Sequence, residues 1–304
     1  MVSRSEFVER NNKVNKRLWV NIGLLGLIIT LCLIILNNEE EIKKELPRLS
    51  TINQNDINQI KVLRKNLDDF TFTKEGDIWH LDSPRQFRAN NARINAMLRM
   101  LKVESHSQLK PAEVKLETIG LSGPIVILKL NDHEFKFGIT DAIDQRRYVL
   151  FEGRVHLVND FLYHQLMTNI AFFADQKLLP EATEINSIKY PDNKIELIND
   201  NWQMQTLVDI SPDKLERISY NWENASALTV SIYEAPETES FISISTSRGD
   251  TFSFVIVSTK PHLILGRKDL DIQYNMASNE ITNLLLIENA EINEKSESLD
   301  FELR

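Results

Sequence analysis

The pattern of apolar and polar positions divides the chain into one long apolar run and a much longer region of short alternating segments. The run LWVNIGLLGLIITLCLIIL occupies residues 18–36 and contains no charged side chain. In a helix with a rise of about 1.5 Å per residue it would extend about 28 Å, close to the roughly 30 Å hydrocarbon thickness of a bilayer. The run therefore predicts a single transmembrane helix that anchors the rest of the chain.

Three alternatives to a transmembrane helix are less favoured. A buried core helix is seldom this long without a polar interruption. A cleaved signal peptide has a shorter apolar stretch and an Ala-x-Ala exit, whereas Leu36 is followed by two asparagines and three glutamates. A lipoprotein needs a small residue before its cysteine, but Leu31 precedes Cys32. We therefore expect the run to remain in the mature protein.

The charges beside the run predict its orientation. Five basic residues precede it: Arg4, Arg10, Lys13, Lys16 and Arg17. The side that follows begins with two asparagines and Glu39–Glu41. Because basic flanks stay in the cytoplasm, we expect a cytoplasmic N-terminus and the bulk of the chain on the other side of the membrane.

Beyond the run, strand patterns alternate with helix patterns. Alternating segments at Ile57–Leu63, Phe70–Thr73 and Ile78–Leu81 predict strands, and Ala92–Leu101 predicts an amphipathic helix. A strand at Val103–His106 and four short strands at 125–130, 134–138, 148–151 and 155–158 are expected next. A helix at Phe161–Phe172, capped by Asp160, closes this series.

The same series then recurs. Ile185–Lys189 repeats the pattern of Ile57–Lys61 at an offset of 128 residues, and Asn201–Met204 repeats a Trp-bearing strand after an acidic turn. A helix at Asp213–Trp222, five further short strands and a helix at Asn279–Ile287 follow. We interpret this as two tandem α+β repeats, each a mostly antiparallel sheet with two packed helices. A chance recurrence in a chain of short strands is the alternative.

These patterns predict a fold of the α+β class with six segments. They are a cytoplasmic arm (1–17), a transmembrane helix (18–36), a connector (37–56), a first repeat (57–175), a second repeat (176–288) and a disordered acidic tail (289–304).

Charge and cysteine content exclude some functions. The net charge is −9, and residues 1–36 carry five basic and two acidic side chains, so the remaining residues carry a net charge of about −12. An acidic domain repels nucleic acid, which we do not expect as a partner. The one cysteine lies in the apolar run, so the following domain has no disulfide and no catalytic thiolate.

Sequence motifs for catalysis or metal binding were not found. The six histidines form no His-x-His or His-x-x-x-His pair, and there is no Gly-x-Ser-x-Gly segment. Phosphate-binding glycine loops are also missing from a sequence with nine glycines. We therefore expect no enzyme activity, no catalytic residues, no cofactor and no metal.

Several small motifs together resemble a known family. They are Ile57–Lys61 with Trp79, Thr118–Pro124 (TIGLSGP), Phe137-Gly138 and Arg147-Tyr148-Val149. This spaced set, over about residues 57–290, is similar to the bacterial domain of unknown function 4340. The resemblance implies a membrane-anchored exported protein of the bacterial inner membrane, associated with gliding-motility-type ABC transport systems. The second half departs from the pattern because it has no Gly-Leu-x-x-Pro phrase.

Two functions remain open. The first is a single-pass, non-catalytic accessory or scaffold protein with a periplasmic domain that binds protein partners, namely ABC-type transporter subunits. The second is capture of a lipid or glycan fragment in a cleft between the repeats. Four aromatic residues are the candidate ligand or partner surface: Trp79, Trp202, Trp222 and Phe252. Because each lies in a strand or helix pattern, we favour a core role for them.

Overall fold

The computed structural model describes three parts of the chain, residues 18–33, 46–205 and 210–286. The chain forms two units, Met1–Pro47 and Arg48–Arg304. The predicted arm 1–17, residues 37–45 of the predicted connector and the predicted tail 289–304 lie outside the described residues. Every described strand belongs to the second unit.

The first unit contains one described helix, α1, at residues 18–33. Its side chains are exposed, including that of Cys32. Residues 34–36 of the predicted transmembrane run lie outside the described residues. Within the described parts of the chain, no helix combines the length and the apolar character that crossing a membrane requires.

The first antiparallel sheet contains nine strands, all within residues 46–205. They are β1 (Gln59–Arg64), β2 (Phe70–Glu75), β3 (Ile78–Ser83), β4 (Phe87–Arg88), β5 (Ser107–Leu109), β6 (Val126–Leu130), β7 (His133–Thr140), β8 (Arg147–Phe151) and β9 (Arg154–Val158). Their spatial order is β4-β3-β2-β1-β6-β7-β8-β9-β5. The predicted meander of four strands in the middle of the first half corresponds to β6 to β9.

The second sheet contains eight described strands and is also antiparallel. They are β10 (Ile185–Lys189), β11 (Lys194–Ile198), β12 (Asn201–Met204), β13 (Thr229–Ile232), β14 (Phe241–Thr246), β15 (Thr251–Ser258), β16 (Ile264–Arg267) and β17 (Ile272–Asn275). Their spatial order is β12-β11-β10-β14-β15-β16-β17-β13. The domain is thus mixed α and β, with two antiparallel sheets and few helices.

The two sheets share one strand order. With β10 placed on β1 and the later strands taken in chain order, the second sheet reproduces the first sheet without β4. The register agrees as well, because Ile60 lies opposite Phe72 in the first sheet and Ile188 lies opposite Ile195 in the second. In the described part of the second sheet, no strand takes the place of β4.

Alternation along the strands produces the core. In β1, Ile60 and Val62 are fully buried, whereas Gln59 and Lys61 are exposed. Because successive side chains of a strand point to opposite faces, each sheet buries one apolar face. The buried faces of both sheets and the helices that cover them form one hydrophobic cluster.

Two longer helices cover the sheets, α2 (Asn91–Leu98) and α4 (Pro212–Asn224). Asn90 caps α2, because its side-chain oxygen accepts hydrogen bonds from the first backbone N–H groups of the helix. In α4, proline stands in the first turn, where its missing N–H is not needed. Leu215 and Trp222 are buried two turns apart on the face that covers the second sheet.

The predicted helix at Phe161–Phe172 is wrong. The structure has a four-residue helix, α3 (Tyr163–Leu166), and a separate 3-10 helix at Ile170–Phe173. The guanidinium of Arg64 donates a hydrogen bond to the carbonyl of Thr168 at 2.5 Å. That carbonyl therefore bonds to a side chain instead of continuing a helix. The apolar periodicity of the sequence continues across this break, so it does not predict it.

The predicted strand at Val103–His106 is also displaced. The strand that pairs with β9 is β5 at Ser107–Leu109, and the residues before it pair instead with the start of the second unit, through a bridge between Arg48 and Glu104. The predicted closing helix shortens to α5 (Glu280–Leu284). Three-residue strands carry too little alternation to fix their register from sequence.

Asp160 was predicted to cap the helix that follows it. Its carboxylate accepts a hydrogen bond from the backbone N–H of Tyr163 at 3.2 Å, although Leu162 occupies the capping position itself. The second oxygen of Asp160 forms an ion pair with Arg147 at 2.7 Å, and both side chains are almost buried. Arg147 also donates to the carbonyl of Gly138 at 2.5 Å. This aspartate therefore links β7, β8 and the start of α3.

Two of the sequence motifs pack on one another. Gly138 lies in β7 beneath the segment that contains Ile119 and Leu121. A side-chain carbon at Gly138 would overlap the carbonyl oxygen of Ile119 and lie 3.1 Å from Leu121. The same carbonyl accepts a hydrogen bond from the backbone N–H of Ile139 at 2.9 Å. The glycine is required because the backbone of the TIGLSGP segment lies directly on it.

We expect Gly138→Ala to destabilise the domain by about 1–3 kcal/mol, because the added methyl group forces the backbone of two segments apart. Gly123→Ala is the matched control, since a side-chain carbon there meets no atom within 4 Å. Urea unfolding of the full-length protein measures both changes. Equal stability losses in the two variants would contradict this explanation of the motif.

Candidate functional site

The two sheets meet through an extended segment at residues 174–178, the junction segment. On one side the backbone N–H of Asp175 donates to the carbonyl of Arg88, at the edge of the first sheet, at 2.9 Å. On the other side the N–H of Ala227 donates to the carbonyl of Gln176 at 2.8 Å, just before β13. The junction segment therefore pairs with β4 and with the chain that leads into β13.

The side chain of Gln176 also spans the junction. Its amide nitrogen donates to the carbonyl of Leu228 at 2.7 Å, and its amide oxygen accepts from the side chain of Asn90 at 3.4 Å. Exposed sheet edges are templates for unwanted pairing, and proteins cover them. Here the chain that connects the halves pairs with the edge strand of the first sheet and with the residues that lead into the edge strand of the second.

A cavity of about 180 Å³ lies beside the junction segment. Its lining is mainly apolar and comes from both halves: Phe87, Arg88, Ala174, Asp175, Lys177, Leu178, Leu179, Pro180, Phe252, Arg267, Leu270, Ile272 and Tyr274. The Arg88 guanidinium pairs with the Asp175 carboxylate at 3.0 Å. This cavity is the candidate site at the junction.

The polar groups of the cavity are already paired or neutral. Arg267 binds the two oxygens of Asp269 at 2.9 and 2.7 Å, and its guanidinium lies 5.6 Å from the ring centre of Phe252. Burial raises the pKa of Asp269, but the hydrogen bonds and charge of Arg267 outweigh this effect, so the pKa is below its ordinary value. Burial raises the pKa of Tyr274 to about 12, which keeps its hydroxyl protonated.

A wider groove of about 500 Å³ opens elsewhere between the halves. It is lined by Arg64, Leu67, Asp68, Pro84, Arg85, Met167, Thr168, Asn169, Ile170, Ile232 and Asp271. Arg85 of the first half pairs across it with Asp271 of the second half at 2.7 Å. Arg64 is occupied by backbone carbonyls, including that of Asp68. The groove thus offers few free polar groups to a ligand.

This arrangement favours a packed joint over a ligand pocket. Cavities that bind drug-sized molecules usually measure about 300–1,000 Å³. The cavity is smaller than this, whereas the groove falls within the range but is crossed by the Arg85–Asp271 ion pair. None of the described residues that line the cavity is a serine, cysteine or histidine. Within the described parts of the chain, no group of three or more His, Cys, Asp or Glu side chains could hold a metal ion.

The structure does not bring the four predicted aromatic residues together in the cavity. Trp79 and Trp202 occupy corresponding positions in β3 and β12 and are 5% and 9% exposed. Trp222 is fully buried in α4, and its indole N–H donates to the carbonyl of Leu284 at 2.9 Å. Of the four, Phe252 alone lines the cavity.

A serine and a histidine that sequence spacing did not connect are in contact. Ser105 Oγ lies 2.9 Å from His156 Nδ1, and the hydroxyl donates to the carbonyl of Ser107 at 3.0 Å. Ser105 is 1% exposed and His156 is 4% exposed. A substrate cannot reach the pair, so the contact fastens β5 to β9 and provides no accessible nucleophile.

Sequence reasoning missed Arg88, Arg267 and Tyr274 as residues of the junction. The sequence offered little indication of their role, because each residue lies in a short strand. The residues that face it across the junction come from the other half of the chain. The predicted boundary between the repeats, at residues 175 and 176, falls inside the junction segment. The pair Leu178 and Leu179 just after that boundary was the available sign that the segment is buried.

We expect Trp222→Ala to destabilise the domain by about 3–5 kcal/mol, since it removes a fully buried ring from the core. Phe252→Ala should cost clearly less, because the ring is partly exposed at the cavity. Urea unfolding followed by circular dichroism measures both losses. A loss for Phe252→Ala as large as that for Trp222→Ala would show that the cavity wall is part of the core.

Stability should fall on mild acidification because of His156. Burial, and secondarily the charge of Arg154, lower the pKa of His156 below its ordinary value of 6.5. The unfolded chain therefore binds this proton at a higher pH than the folded chain, so stability falls as the pH drops from about 6.5 toward the lower pKa of the folded state.

The pH dependence of urea unfolding between pH 5 and 8 measures this effect, and His156→Gln is the control because it cannot take up the proton. We expect the wild-type protein to lose more stability than the variant over this interval. Parallel curves for the two proteins would show that the histidine makes no contribution.

Residues 79–199, from β3 to the end of β11, match the model of a family described as Domain of unknown function (DUF4340). The match covers less than half of the chain. A search of curated proteins and a search of solved structures each returned no match. The family model therefore supports the resemblance seen in the sequence motifs, four of which (Trp79, TIGLSGP, Phe137-Gly138 and Arg147-Tyr148-Val149) lie inside the matched region.

Proposed function

We propose that the chain is a single-pass protein of the bacterial inner membrane, anchored by residues 18–36 with its N-terminus in the cytoplasm. Its two-sheet domain is periplasmic and non-catalytic. It acts as an accessory or scaffold protein that binds subunits of an ABC-type transport system. The apolar run, the basic residues before it and the family resemblance support this proposal.

We further propose that residues 57–175 and 176–288 are tandem repeats of one ancestral unit. The shared strand order supports this, as do the matching registers around Ile60 and Ile188. Trp79 and Trp202 occupy corresponding places, because each lies two residues before the residue, Leu81 or Met204, that pairs with the neighbouring strand opposite Phe72 or Ile195. A duplicated unit offers two related surfaces, which suits a protein that bridges partners.

The filled junction is the observation that carries the scaffold function. Beside the junction segment, backbone hydrogen bonds and apolar side chains leave a cavity of only about 180 Å³, and the charged groups at this cavity are paired. The wider groove is crossed by the ion pair between Arg85 and Asp271. A joint of this kind holds two modules in a fixed relation. A fixed relative orientation of the two modules suits the presentation of surfaces to protein partners. It does not suit the enclosure of a substrate.

Capture of a lipid or glycan fragment is the second candidate. Its support is the cavity itself, where the ring of Phe252 and the guanidinium of Arg267 form a mixed apolar and cationic wall. A drug-sized ligand exceeds the volume of this cavity, and the wider groove offers few free polar groups to a ligand. We therefore favour the scaffold function.

Fractionation of native membranes tests the proposed function. The full-length protein should stay in the membrane pellet after carbonate extraction, and gentle solubilisation should recover it with the membrane and ATP-binding subunits of a transporter. Leu25→Arg with Ile28→Arg is the control, because two charges in the apolar run make membrane insertion unfavourable.

The double variant should appear in the soluble fraction and lose the transporter subunits. Release of the wild-type protein by carbonate would overturn the anchor. Purification of the wild-type protein from membranes without transporter subunits would overturn the partner assignment, and a bound lipid or glycan recovered in its place would favour the second candidate.

A further inference from the structure

The cavity beside the junction segment contains a nearly buried polar group without a partner. Tyr274 lines the cavity and is 4% exposed. No hydrogen bond among the described residues engages its hydroxyl, whereas the buried hydroxyl of Tyr190 donates to the carbonyl of Leu284 at 2.7 Å. Because an unpaired buried polar group is destabilising, the Tyr274 hydroxyl indicates a site that another molecule completes.

The hydroxyl of Tyr274 borders open space. In the described parts of the chain, the sealed side-chain atoms without a hydrogen-bond partner are His106 Nε2 and the hydroxyl of Tyr233. The Tyr274 hydroxyl is not one of these, so it is within reach of a molecule that enters the cavity. Ile272 lies two residues earlier in β17 and also lines the cavity, as expected for side chains on one face of a strand.

The shared strand order identifies the residue of the first half that corresponds to Tyr274. Just before β5, the N–H of His106 donates to the carbonyl of Leu157 at 2.9 Å. Just before β13, the N–H of Leu228 donates to the carbonyl of Asn275 at 2.9 Å. The residues one position earlier in each strand therefore correspond as well: His156 to Tyr274 and Ser105 to Ala227.

In the first half this polar group is satisfied internally. His156 Nδ1 lies 2.9 Å from Ser105 Oγ. The second half has Ala227 in place of the serine, and the hydroxyl of Tyr274 lies farther from the backbone than the ring nitrogen of a histidine. Among the described residues, the polar group at this position is thus unpaired in the second half alone, where the two halves meet around a cavity.

The cavity has the size of one aromatic side chain. Its volume is about 180 Å³, and a cavity of about 150 Å³ with apolar walls binds benzene. The deep part of its lining is apolar and buried, and includes Phe87, Leu178, Leu179 and Ile272. One ring with one or two further atoms therefore fills the cavity.

The cavity opens at the surface, because Lys177 and Pro180 line it and are exposed. Lys177 pairs with Glu181 at 3.0 Å, and Arg88 lies 3.6 Å from the same carboxylate. This combination of an apolar floor and a polar rim is typical of the places where an interface buries an anchor residue of the partner.

The cations of the cavity favour an uncharged occupant. Arg88 pairs with Asp175 at 3.0 Å, and Arg267 pairs with Asp269 at 2.7 Å. A charged group in the cavity would gain little from cations that already have carboxylate partners, and it would lose its hydration. The polar atom that meets the Tyr274 hydroxyl is therefore uncharged.

We propose that the cavity receives a tyrosine side chain of a protein partner, whose ring fills the apolar part and whose hydroxyl bonds to the hydroxyl of Tyr274. This inference rests on the proposed scaffold function and names what the partner inserts. Tyrosine combines one ring with one uncharged polar atom, whereas phenylalanine lacks the polar atom. A hydroxyl both donates and accepts, so two tyrosine hydroxyls can bond.

The position of the cavity gives the insertion a further consequence. Its walls come from both halves, with Phe87 in the first and Phe252 in the second. An inserted ring contacts both, so binding of the partner and the fixed orientation of the two sheets stabilise each other.

Fluorine NMR of the full-length protein in detergent, labelled with 3-fluorotyrosine, tests the proposal. The sequence has six tyrosines, and Tyr274→Phe identifies the resonance of Tyr274 by its loss. Two pairs of probes are titrated. They are p-cresol and toluene, the isolated side chains of tyrosine and phenylalanine, and the capped peptides Gly-Ser-Tyr-Ser-Gly and Gly-Ser-Phe-Ser-Gly. The other resonances report whether the fold is kept and whether a probe acts through the detergent.

We expect p-cresol and the tyrosine peptide to shift the Tyr274 resonance, each with at least about fivefold higher affinity than its phenylalanine counterpart, because a hydroxyl completes the hydrogen bond. No shift at Tyr274, equal shifts at all tyrosines, or equal affinity for the members of each pair overturns the proposal. Binding of p-cresol without binding of the tyrosine peptide also overturns it, because the site would then serve a free small molecule.

Leu270→Trp places a larger side chain in the lining of the cavity and should abolish both shifts. Leu197→Trp is the matched control and should keep them, because Leu197 is 38% exposed in β11 and does not line the cavity. Leu270→Phe replaces the tryptophan variant if the latter disturbs the other resonances. Undiminished binding in the folded Leu270 variant would show that the probes bind elsewhere and would contradict the proposal.

These measurements need no transporter, so the two proposals can fail separately. If the probes bind at Tyr274 and the wild-type protein is purified without transporter subunits, the identity of the partner is wrong and the pocket stands. If the probes do not bind and the transporter subunits are recovered, the pocket is wrong and the scaffold function stands.

Discussion

Backbone pairing along the junction segment is the constraint on which the rest of the domain depends. Each antiparallel sheet has two edges, and an unpaired edge exposes a row of hydrogen-bonding groups. The five residues from Ala174 to Leu178 cover the first sheet beside Arg88 and the second sheet beside Ala227. Because the same backbone pairs on both sides, the halves cannot move apart without breaking these hydrogen bonds. The single hydrophobic cluster that spans the two sheets follows from this connection.

Sequence patterns located the strands that have a long alternation of apolar and polar residues. They were less successful where contacts between distant segments determine the local structure. Strand β1 could be located because four alternating residues reveal its buried face, and Trp79 and Trp202 could be matched because each follows a turn. The prediction of a helix at Phe161–Phe172 failed because Arg64, 104 residues before Thr168, donates a hydrogen bond to the Thr168 carbonyl within it. No local pattern contains that information.

The candidate site was harder to predict for the same reason. The four aromatic residues were chosen for size, yet their positions in alternating strands and helix faces already indicated burial, and Trp222 is fully buried. The cavity is built by Arg88 and Arg267, which lie in different halves and become neighbours through the junction segment. Residue type gives no sign of such a pairing. The glycine at position 138, by contrast, was visible in the sequence, and its packing against Ile119 explains why a motif marks it.

The two sheets share one strand order, but their exposed loops carry different residues. A fold that is repeated preserves the buried positions, since both copies must fill a similar core, as Ile60 and Ile188 do. Exposed loops are under no such constraint, so they diverge according to what each copy meets. The first copy exposes Ile143 where the second has Lys260 in the corresponding loop. At the same end the second copy exposes Leu228 and Phe241 instead, so the two copies present different side chains on one strand order.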